Sequence, residues 1–133
     1  ATKPVKWYAC SDYVPHAWNR TENYFPAENM VDVMQSLAAW PEPARRPRMW
    51  IVSGDNDAVC PTLGDYFWLW SGRFPVISEW APWTFEEQVA GFRVSLNGLT
   101  YTTVRGAGHL VPTTKPRVSL GLLAEFLGAP VPP

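Results

Sequence analysis

The segment "MWIV", residues 49–52, is a continuous apolar run that Ser53 and Gly54 close. A run without polar alternation is typical of a β-strand buried on both faces, as in a parallel sheet that helices cover. Such a strand cannot stand alone, because its edges and both of its faces need neighbours. The sequence is therefore constrained to a layered α/β arrangement in which other strands and helices surround this segment.

Three segments have the periodicity or the end signals of helices. Residues 29–40 have apolar side chains at amphipathic helical spacing, and a proline-rich stretch then ends the helix. Residues 63–72 predict a second helix, and a third is predicted between Pro116 and Gly128. The side chains expected to pack are Met30, Val33, Met34, Leu37 and Ala38 in the first helix, Phe67, Trp68 and Trp70 in the second, and Val118, Leu122 and Phe126 in the third.

Between the last two helices lies a predicted β-hairpin. Apolar and polar residues alternate on either side of Asn97-Gly98, a pair typical of a tight type I′ turn. The preceding residues 75–88 have little period and are predicted to be irregular. The resulting order of strand, helix, hairpin and helix is the end of an α/β sheet and too small for a whole one. Residues 1–48 are interpreted as a segment leading into that core, and residues 49–133 as the part carrying its functional loops.

Two loops have residue types that suit chemistry. Asp57 follows the apolar strand by a short turn, and His109 follows the strand at residues 99–104 by another. In open α/β sheets functional side chains lie beyond the carboxyl ends of strands, so the two loops are expected to share one site. A histidine base needs a carboxylate on its other ring nitrogen. In α/β-hydrolases the chain order is nucleophile, acid, histidine, which matches an acid followed by a histidine here.

Structural interpretations of the same residues remain open. Asp55 and Asp57 also fit turn-forming roles, His109 also fits a solvated loop, and the eight tryptophans fit either a ligand groove or a core. No metal is expected, because the "GDND" stretch lacks the glycine and glutamate spacing of a calcium loop. A zinc site also lacks the usual paired ligand spacing among the candidate ligands, which are His16, His109, Cys10 and Cys60.

Composition excludes several classes of function. The net charge is −1 with no basic stripe, so no nucleic acid is expected as a partner. Apolar runs are far shorter than the roughly 20 residues that span a bilayer, so no membrane span is expected. The first residues contain no apolar core of a signal peptide. "NRT" at Asn19 is an N-glycosylation acceptor pattern, which matters in a secretory compartment.

Three stretches together resemble one family. "IVSGDNDAVCP", "EWAPWTFEEQVAGF" and "LTYTTVRGAGHLVPTTKP" are similar to the C-terminal third of the serine carboxypeptidases, which include cathepsin A and carboxypeptidase Y. The resemblance covers most of residues 5–127 and implies the C-terminal portion of an α/β-hydrolase fold, a partial sheet with flanking helices and a β-hairpin. It implies that Asp57 is the acid and His109 the base of a triad that releases C-terminal residues from peptides. It further implies that Asp55 is structural and that Cys60 and Leu110 contact substrate.

The resemblance also implies that parts of the enzyme lie outside this sequence. The family's nucleophile elbow "G-E-S-Y-[AG]-G" does not occur here, so the serine is expected on an upstream part or large chain of the same enzyme. Cys10 is expected to pair with a cysteine of that part, and no cofactor is expected. The isolated chain is expected to be inactive and to associate through open sheet edges into a homodimer. A lysosomal, vacuolar or secreted enzyme is expected. Acyltransferases and hydroxynitrile lyases of the family, or a silent binding portion, remain alternatives.

Overall fold

The computed structural model describes residues 27–130, so Cys10, His16 and Asn19 lie outside the described residues. The chain in this part forms a four-stranded sheet with helices on both faces. The elements in chain order are α1 (Ala27–Ala38), a 3-10 turn (Pro43–Arg45), β1 (Met49–Gly54), α2 (Thr62–Ser71), β2 (Val76–Phe85), β3 (Gln88–Leu96), β4 (Leu99–Val104), α3 (Val111–Thr114) and α4 (Pro116–Leu127).

The sheet has the strand order β1-β4-β3-β2. β1 pairs in parallel with β4, while β4 pairs with β3 and β3 with β2 in antiparallel fashion. This mixed sheet with flanking helices is the expected α/β class, a partial α/β-hydrolase fold. No helix within residues 27–130 is long and apolar enough to cross a membrane.

The predicted strand β1 forms, but it is not buried on both faces as the sequence predicts. Val52 is 40 % exposed, and Met49, Trp50 and Ile51 are only half-buried. β1 is an edge strand of the described sheet, with β4 on one side only, and α4 covers only part of the face that bears Trp50 and Val52. A groove of about 280 Å³ runs beside it, lined by Trp50, Val52, Val111, Pro112, Ser119, Leu122, Leu123 and Phe126. The open apolar edge expected from the sequence is therefore present.

The three predicted helices form, although some of their packing residues are wrong. In α1 Met34 and Ala38 are buried, but Val33 is 51 % exposed and Val31 is buried in its place. In α2 Leu69 is buried, whereas the predicted Phe67 and Trp70 are exposed. Each short helix contacts the sheet through a narrow stripe of side chains. An error of one or two residues in the predicted pattern therefore assigns the wrong side chains to the buried face. The side-chain packing predicted for Met30 and Trp68 lies outside what the structure describes.

The end of α4 agrees closely with the sequence. It begins at Pro116, and Gly128 follows its last residue with a φ of 68°, the left-handed conformation that glycine adopts without strain. Leu122 is buried, while Val118 and Phe126 are half-buried. The face predicted for this helix therefore lies against the sheet.

The stretch predicted to be irregular is the ten-residue strand β2. Its pairing with β3 shifts register at three places, so polar and apolar residues do not alternate along it. Pro82 is tolerated because β2 is the other edge of the described sheet. Trp83 fixes the strand, since its buried indole N–H passes over Gly91 and donates to the carbonyl oxygen of Thr103 at 2.9 Å. Because β2 is an edge strand with irregular pairing, its sequence lacks the alternation by which a strand is predicted.

The hairpin at Asn97-Gly98 forms, but its turn is not type I′. Gly98 has a φ of 88°, whereas Asn97 is not among the described residues with positive φ. A type I′ turn needs positive φ at both central positions. Those angles occur instead at Glu86 (49°) and Glu87 (63°), between β2 and β3. Two glutamates give no sequence signal for such a turn, so the second hairpin is not predicted.

Replacing Glu87 with glycine is expected to stabilise the protein by about 1 kcal/mol, since a side chain in the left-handed region costs roughly that much. The midpoint of urea unfolding of the complete protein measures this change. Glu79→Gly is the matched control, because it places glycine within β2 and is expected to be destabilising. An unchanged or lowered midpoint for Glu87→Gly would contradict the strain assigned to this turn.

Two apolar clusters lie on opposite faces of the sheet. One joins α1 and α2 to the sheet, and its buried members are Met34, Ala38, Leu69, Phe74, Val94, Leu96, Leu99 and Tyr101. The other joins the sheet to α3 and α4, and its buried members are Trp83, Ala90, Val104, Ala107, Val111 and Leu122. Both inner strands of the sheet, β3 and β4, contribute side chains to the two clusters, so the two layers of helices meet on these strands.

Candidate active site

The two loops that the sequence singles out meet at one edge of the sheet. β1 and β4 run in parallel, with Gly54 paired to Val104 at their carboxyl ends. The chain after β1 then bonds to the chain after β4 through backbone hydrogen bonds. The N–H of Asp55 donates to Val104 O at 3.1 Å, and the N–H of Asn56 donates to Ala107 O at 2.9 Å. The parallel pairing thus brings loops distant in sequence together.

Asp57 and His109 lie within hydrogen-bonding distance across these loops. His109 Nδ1 is 2.9 Å from Asp57 Oδ2. The other oxygen of the carboxylate, Oδ1, accepts backbone N–H bonds from Val59 at 2.7 Å and Cys60 at 3.0 Å. The Asp57 side chain is 6 % exposed and that of His109 is 49 % exposed. A carboxylate held within the protein therefore orients an imidazole that solvent can reach.

Hydrogen bonding keeps the Asp57 carboxylate ionised. Burial raises the pKa of Asp57, but hydrogen bonds from the Cys60 N–H, the His109 ring and the Val59 N–H lower it further than burial raises it. The pKa of Asp57 consequently lies below its ordinary value of 3.8. Since the pKa is lower in the folded state, this pair stabilises the fold above pH 3.8. That contribution is lost only as the pH falls below 3.8 through the folded-state pKa.

Asp55 links the two loops rather than its own turn. Its Oδ1 accepts a hydrogen bond from the backbone N–H of Gly106 at 2.6 Å, and Gly106 lies three residues before His109. The family resemblance implies that Asp55 is structural and that its side chain ties down the turn. The structure places the bond across the site instead, where it helps to hold the His109 loop beside Asp57.

Gly54 is a site residue that sequence reasoning missed. A Cβ at this position would lie 2.4 Å from Ala107 O and 2.5 Å from Gly108 O, so only glycine allows the two backbones to approach so closely. Its place directly before the aspartate loop was the available signal, since a glycine at a strand end often marks such an approach.

Replacing Gly54 with alanine is expected to separate the loops and destabilise the protein by about 1–3 kcal/mol, the usual cost of overpacking. Urea unfolding of the complete protein measures the stability. The proton NMR signal of the His109 Nδ1–H reports whether the bond to Asp57 survives. Gly64→Ala is the matched control, because no atom lies within 4 Å of the added Cβ and helix α2 gains helix propensity. Equal stability of the two variants would refute this role for Gly54.

Tyr101 and Asp65 are two polar side chains that lie where β1, α2 and β4 meet. Tyr101 is completely buried, and its hydroxyl donates to Thr62 O at 3.3 Å. Burial raises the pKa of Tyr101 to about 12, so the hydroxyl remains a donor. Burial also raises the pKa of Asp65, and the negative charge of Asp57 adds to this, against hydrogen bonds from Ser53 and Tyr101. These side chains join β1, α2 and β4 through hydrogen bonds, and the charge of Asp57 acts on Asp65.

Cys60 and Leu110 lie next to the pair on the exposed rim. Cys60 is an exposed free thiol, and Leu110 is 64 % exposed immediately after His109. The ligand-type atoms of Asp57, Cys60 and His109 all lie within 4.8 Å of one another. The chain thus offers an oriented imidazole, an ionised carboxylate, a thiol and an apolar side chain at one edge of the sheet.

The sequence is similar to known serine carboxypeptidases. The family model described as serine carboxypeptidase matches residues 1–129. Serine carboxypeptidase 24 of Arabidopsis thaliana is 38% identical over 92% of this chain and 24% of its own length. Serine carboxypeptidase II-1 of Hordeum vulgare is 35% identical over 93% of this chain and 35% of its own length. The chain therefore spans only about a quarter to a third of these curated relatives. The chain belongs to the serine carboxypeptidase family.

Proposed function

We propose that this chain supplies the acid and the base of a Ser-Asp-His triad in a serine carboxypeptidase. The observation that carries the proposal is the 2.9 Å contact between His109 Nδ1 and Asp57 Oδ2 at the carboxyl ends of two parallel strands. The nucleophilic serine belongs to an upstream part of the same enzyme. The substrates are peptides, from which the enzyme releases C-terminal residues.

His109 is the general base in this proposal. When Nδ1–H donates to Asp57, the lone pair of the neutral ring is on Nε2, which then accepts the serine hydroxyl proton as the serine attacks the scissile carbonyl. The same proton passes from Nε2 to the leaving amine when the tetrahedral intermediate breaks down. Water attacks the acyl-enzyme in the second half of the cycle, with His109 again taking and returning a proton.

Asp57 orients the base and stabilises its charged form. Its Oδ2 selects the ring tautomer with hydrogen on Nδ1, while the N–H bonds to Oδ1 prevent the carboxylate from turning. The lowered pKa of Asp57 keeps it anionic in mildly acidic solution, where it can balance the imidazolium that forms during attack. Its proton state therefore need not change through the cycle.

The proposal also assigns roles to the exposed residues next to His109 and to the upstream portion of the enzyme. Cys60 and Leu110 contact the substrate beside the scissile bond, which their exposure next to His109 supports. The upstream portion covers the apolar groove and the free edge of β1. Cys10 joins that portion by a disulfide, Asn19 bears a glycan, and the enzyme functions in a lysosome or vacuole or after secretion.

An organophosphate reagent tests the triad in the complete enzyme. It is expected to label one serine outside this chain and to abolish hydrolysis of a blocked dipeptide in the same proportion as the labelling. Absence of labelling would instead indicate a silent binding portion, and the proposal would then be wrong.

Competing substrates test the reaction class. A blocked dipeptide, a glucose ester and a cyanohydrin are compared with the same enzyme preparation. The proposal expects the dipeptide to have the highest kcat/KM. A preference for the glucose ester would indicate an acyltransferase, and a preference for the cyanohydrin would indicate a lyase.

A further inference from the structure

The thiol of Cys60 lies close to the Asp57–His109 contact, so three side chains that can bind a metal ion are grouped together. Asp57, Cys60 and His109 each present one ligand atom, and the three atoms lie within 4.8 Å of one another. The sequence analysis expects no zinc site, because it groups His109 and Cys60 with His16 and Cys10, whose spacing is unsuitable, and leaves out Asp57. The fold instead combines residues three apart in one loop with a residue from another strand end.

The turn holds two of these ligands in place. The Cys60 N–H donates to Asp57 Oδ1 at 3.0 Å, so the thiol and the carboxylate belong to one hydrogen-bonded turn. Among the described residues, His109 is the one hydrogen-bond partner of Asp57 Oδ2, which leaves this oxygen a lone pair for an ion. Cys60 is exposed and His109 is half-exposed, so an ion can reach the group from solvent.

The ligand types select the class of metal. Zn²⁺ accepts thiolate sulfur at about 2.3 Å and imidazole nitrogen or carboxylate oxygen at about 2.0–2.2 Å in tetrahedral geometry. Those bonds require ligand atoms roughly 3.3–3.8 Å apart, which side-chain movements of about 1 Å would produce from the observed cluster. A thiolate and an imidazole disfavour Ca²⁺ and Mg²⁺, which prefer oxygen ligands.

We propose that Asp57, Cys60 and His109 form an inhibitory binding site for Zn²⁺, with water in the fourth position. The thiol proton passes to solvent when sulfur binds the ion, and the thiolate and the carboxylate then neutralise its two charges. The site requires no ligand from any other part of the enzyme. Chelation removes the ion and restores the free pair.

Binding of the ion disables the base whichever ring nitrogen it uses. If Nε2 binds Zn²⁺, the lone pair that would accept the serine proton is occupied. If Nδ1 binds it, the ring proton resides on Nε2, and that nitrogen is again unable to accept a proton. This inhibitory consequence rests on the proposed function, whereas the binding itself does not.

Binding is tested without any activity measurement. Co²⁺ replaces Zn²⁺ as a spectroscopic probe in the complete protein, and a sulfur-to-cobalt charge-transfer band is expected on addition of one equivalent. Cys60→Ser is expected to abolish the band and to weaken Zn²⁺ binding in calorimetry by at least about 100-fold, since outer partners alone account for 10–100-fold. Val59→Ala is the matched control, because it alters the exposed neighbour of Cys60 and keeps all three ligands.

Inhibition is tested in the same preparations with the blocked dipeptide. Zn²⁺ is expected to inhibit the unmodified enzyme and the Val59→Ala variant at equal concentrations, with recovery on adding a chelator. The concentration for half inhibition of Cys60→Ser, relative to its own metal-free rate, is expected to rise at least about 100-fold. A band retained in Cys60→Ser, or no Zn²⁺ binding to the unmodified protein, would overturn the site. Binding without inhibition of an active enzyme would instead overturn the role of His109.

Discussion

Replacing His109 with alanine is expected to lower the turnover of the complete enzyme by on the order of 10⁶-fold, the loss found when a triad base is removed. The reason is that the serine hydroxyl then has no acceptor for its proton. Asp57 cannot substitute, because its side chain is buried and the Val59 and Cys60 N–H groups hold it in place through Oδ1. The side chain removed is half-exposed and contributes little to the core, so the variant is expected to fold.

Hydrolysis of a blocked dipeptide in single-turnover conditions measures this loss, because it isolates acylation from product release. Thr113→Ala serves as the control, since Thr113 is exposed on α3, the short helix that follows the His109 loop. That variant is expected to retain turnover within a few-fold of the unmodified enzyme. Near-native turnover of His109→Ala would exclude His109 as the base and would require another proton acceptor.

Replacing Asp57 with asparagine is expected to lower turnover by about 10⁴-fold while the fold is retained. Oδ1 accepts two backbone N–H bonds, so the amide oxygen of asparagine is expected to occupy that position. Its NH₂ group then faces His109 Nδ1, which must act as an acceptor. The ring proton therefore moves to Nε2, the nitrogen that needs a free lone pair.

Asp55→Asn provides a matched control two residues away. Asp55 Oδ1 accepts a single N–H bond from Gly106, and an amide oxygen can accept the same bond. Turnover is expected to fall less than about tenfold, because a weaker neutral bond replaces a charge-assisted one. The kcat of both variants is measured, and NMR of the His109 ring nitrogens shows which nitrogen carries the proton. Together these measurements distinguish an effect of the His109 tautomer from an effect of losing a negative charge. Equal losses in the two variants would contradict the proposed tautomer mechanism.

Local signals predicted the elements whose sequence pattern was regular. The apolar run gave β1, the Asn97-Gly98 pair located the β3–β4 hairpin, and Pro116 and Gly128 delimit α4. β2 was missed because its three register shifts and Pro82 remove alternation. The Glu86-Glu87 turn was missed because its backbone angles are imposed by the strands it connects, not by the intrinsic preference of glutamate.

Burial was predicted less well than secondary structure. Val33, Phe67 and Trp70 are exposed, and β1 is half-exposed. Their burial depends on which parts of the chain pack against them, and the local sequence does not specify those neighbours. Large apolar side chains are often buried, but which face of a short helix lies against the sheet is decided by tertiary packing.

The presence of β1 and of the β3–β4 hairpin, the positions of the two loops and the types of residue in them follow from the sequence alone. They are local or depend on chain order, so periodicity and turn chemistry can specify them. Only the tertiary structure decided that Gly54 permits the loops to touch, that Asp55 bonds across to Gly106, and that Cys60 joins the pair as a third ligand-type group. These contacts depend on the parallel register of β1 and β4. That register is set by two packed layers and not by any short stretch of the chain.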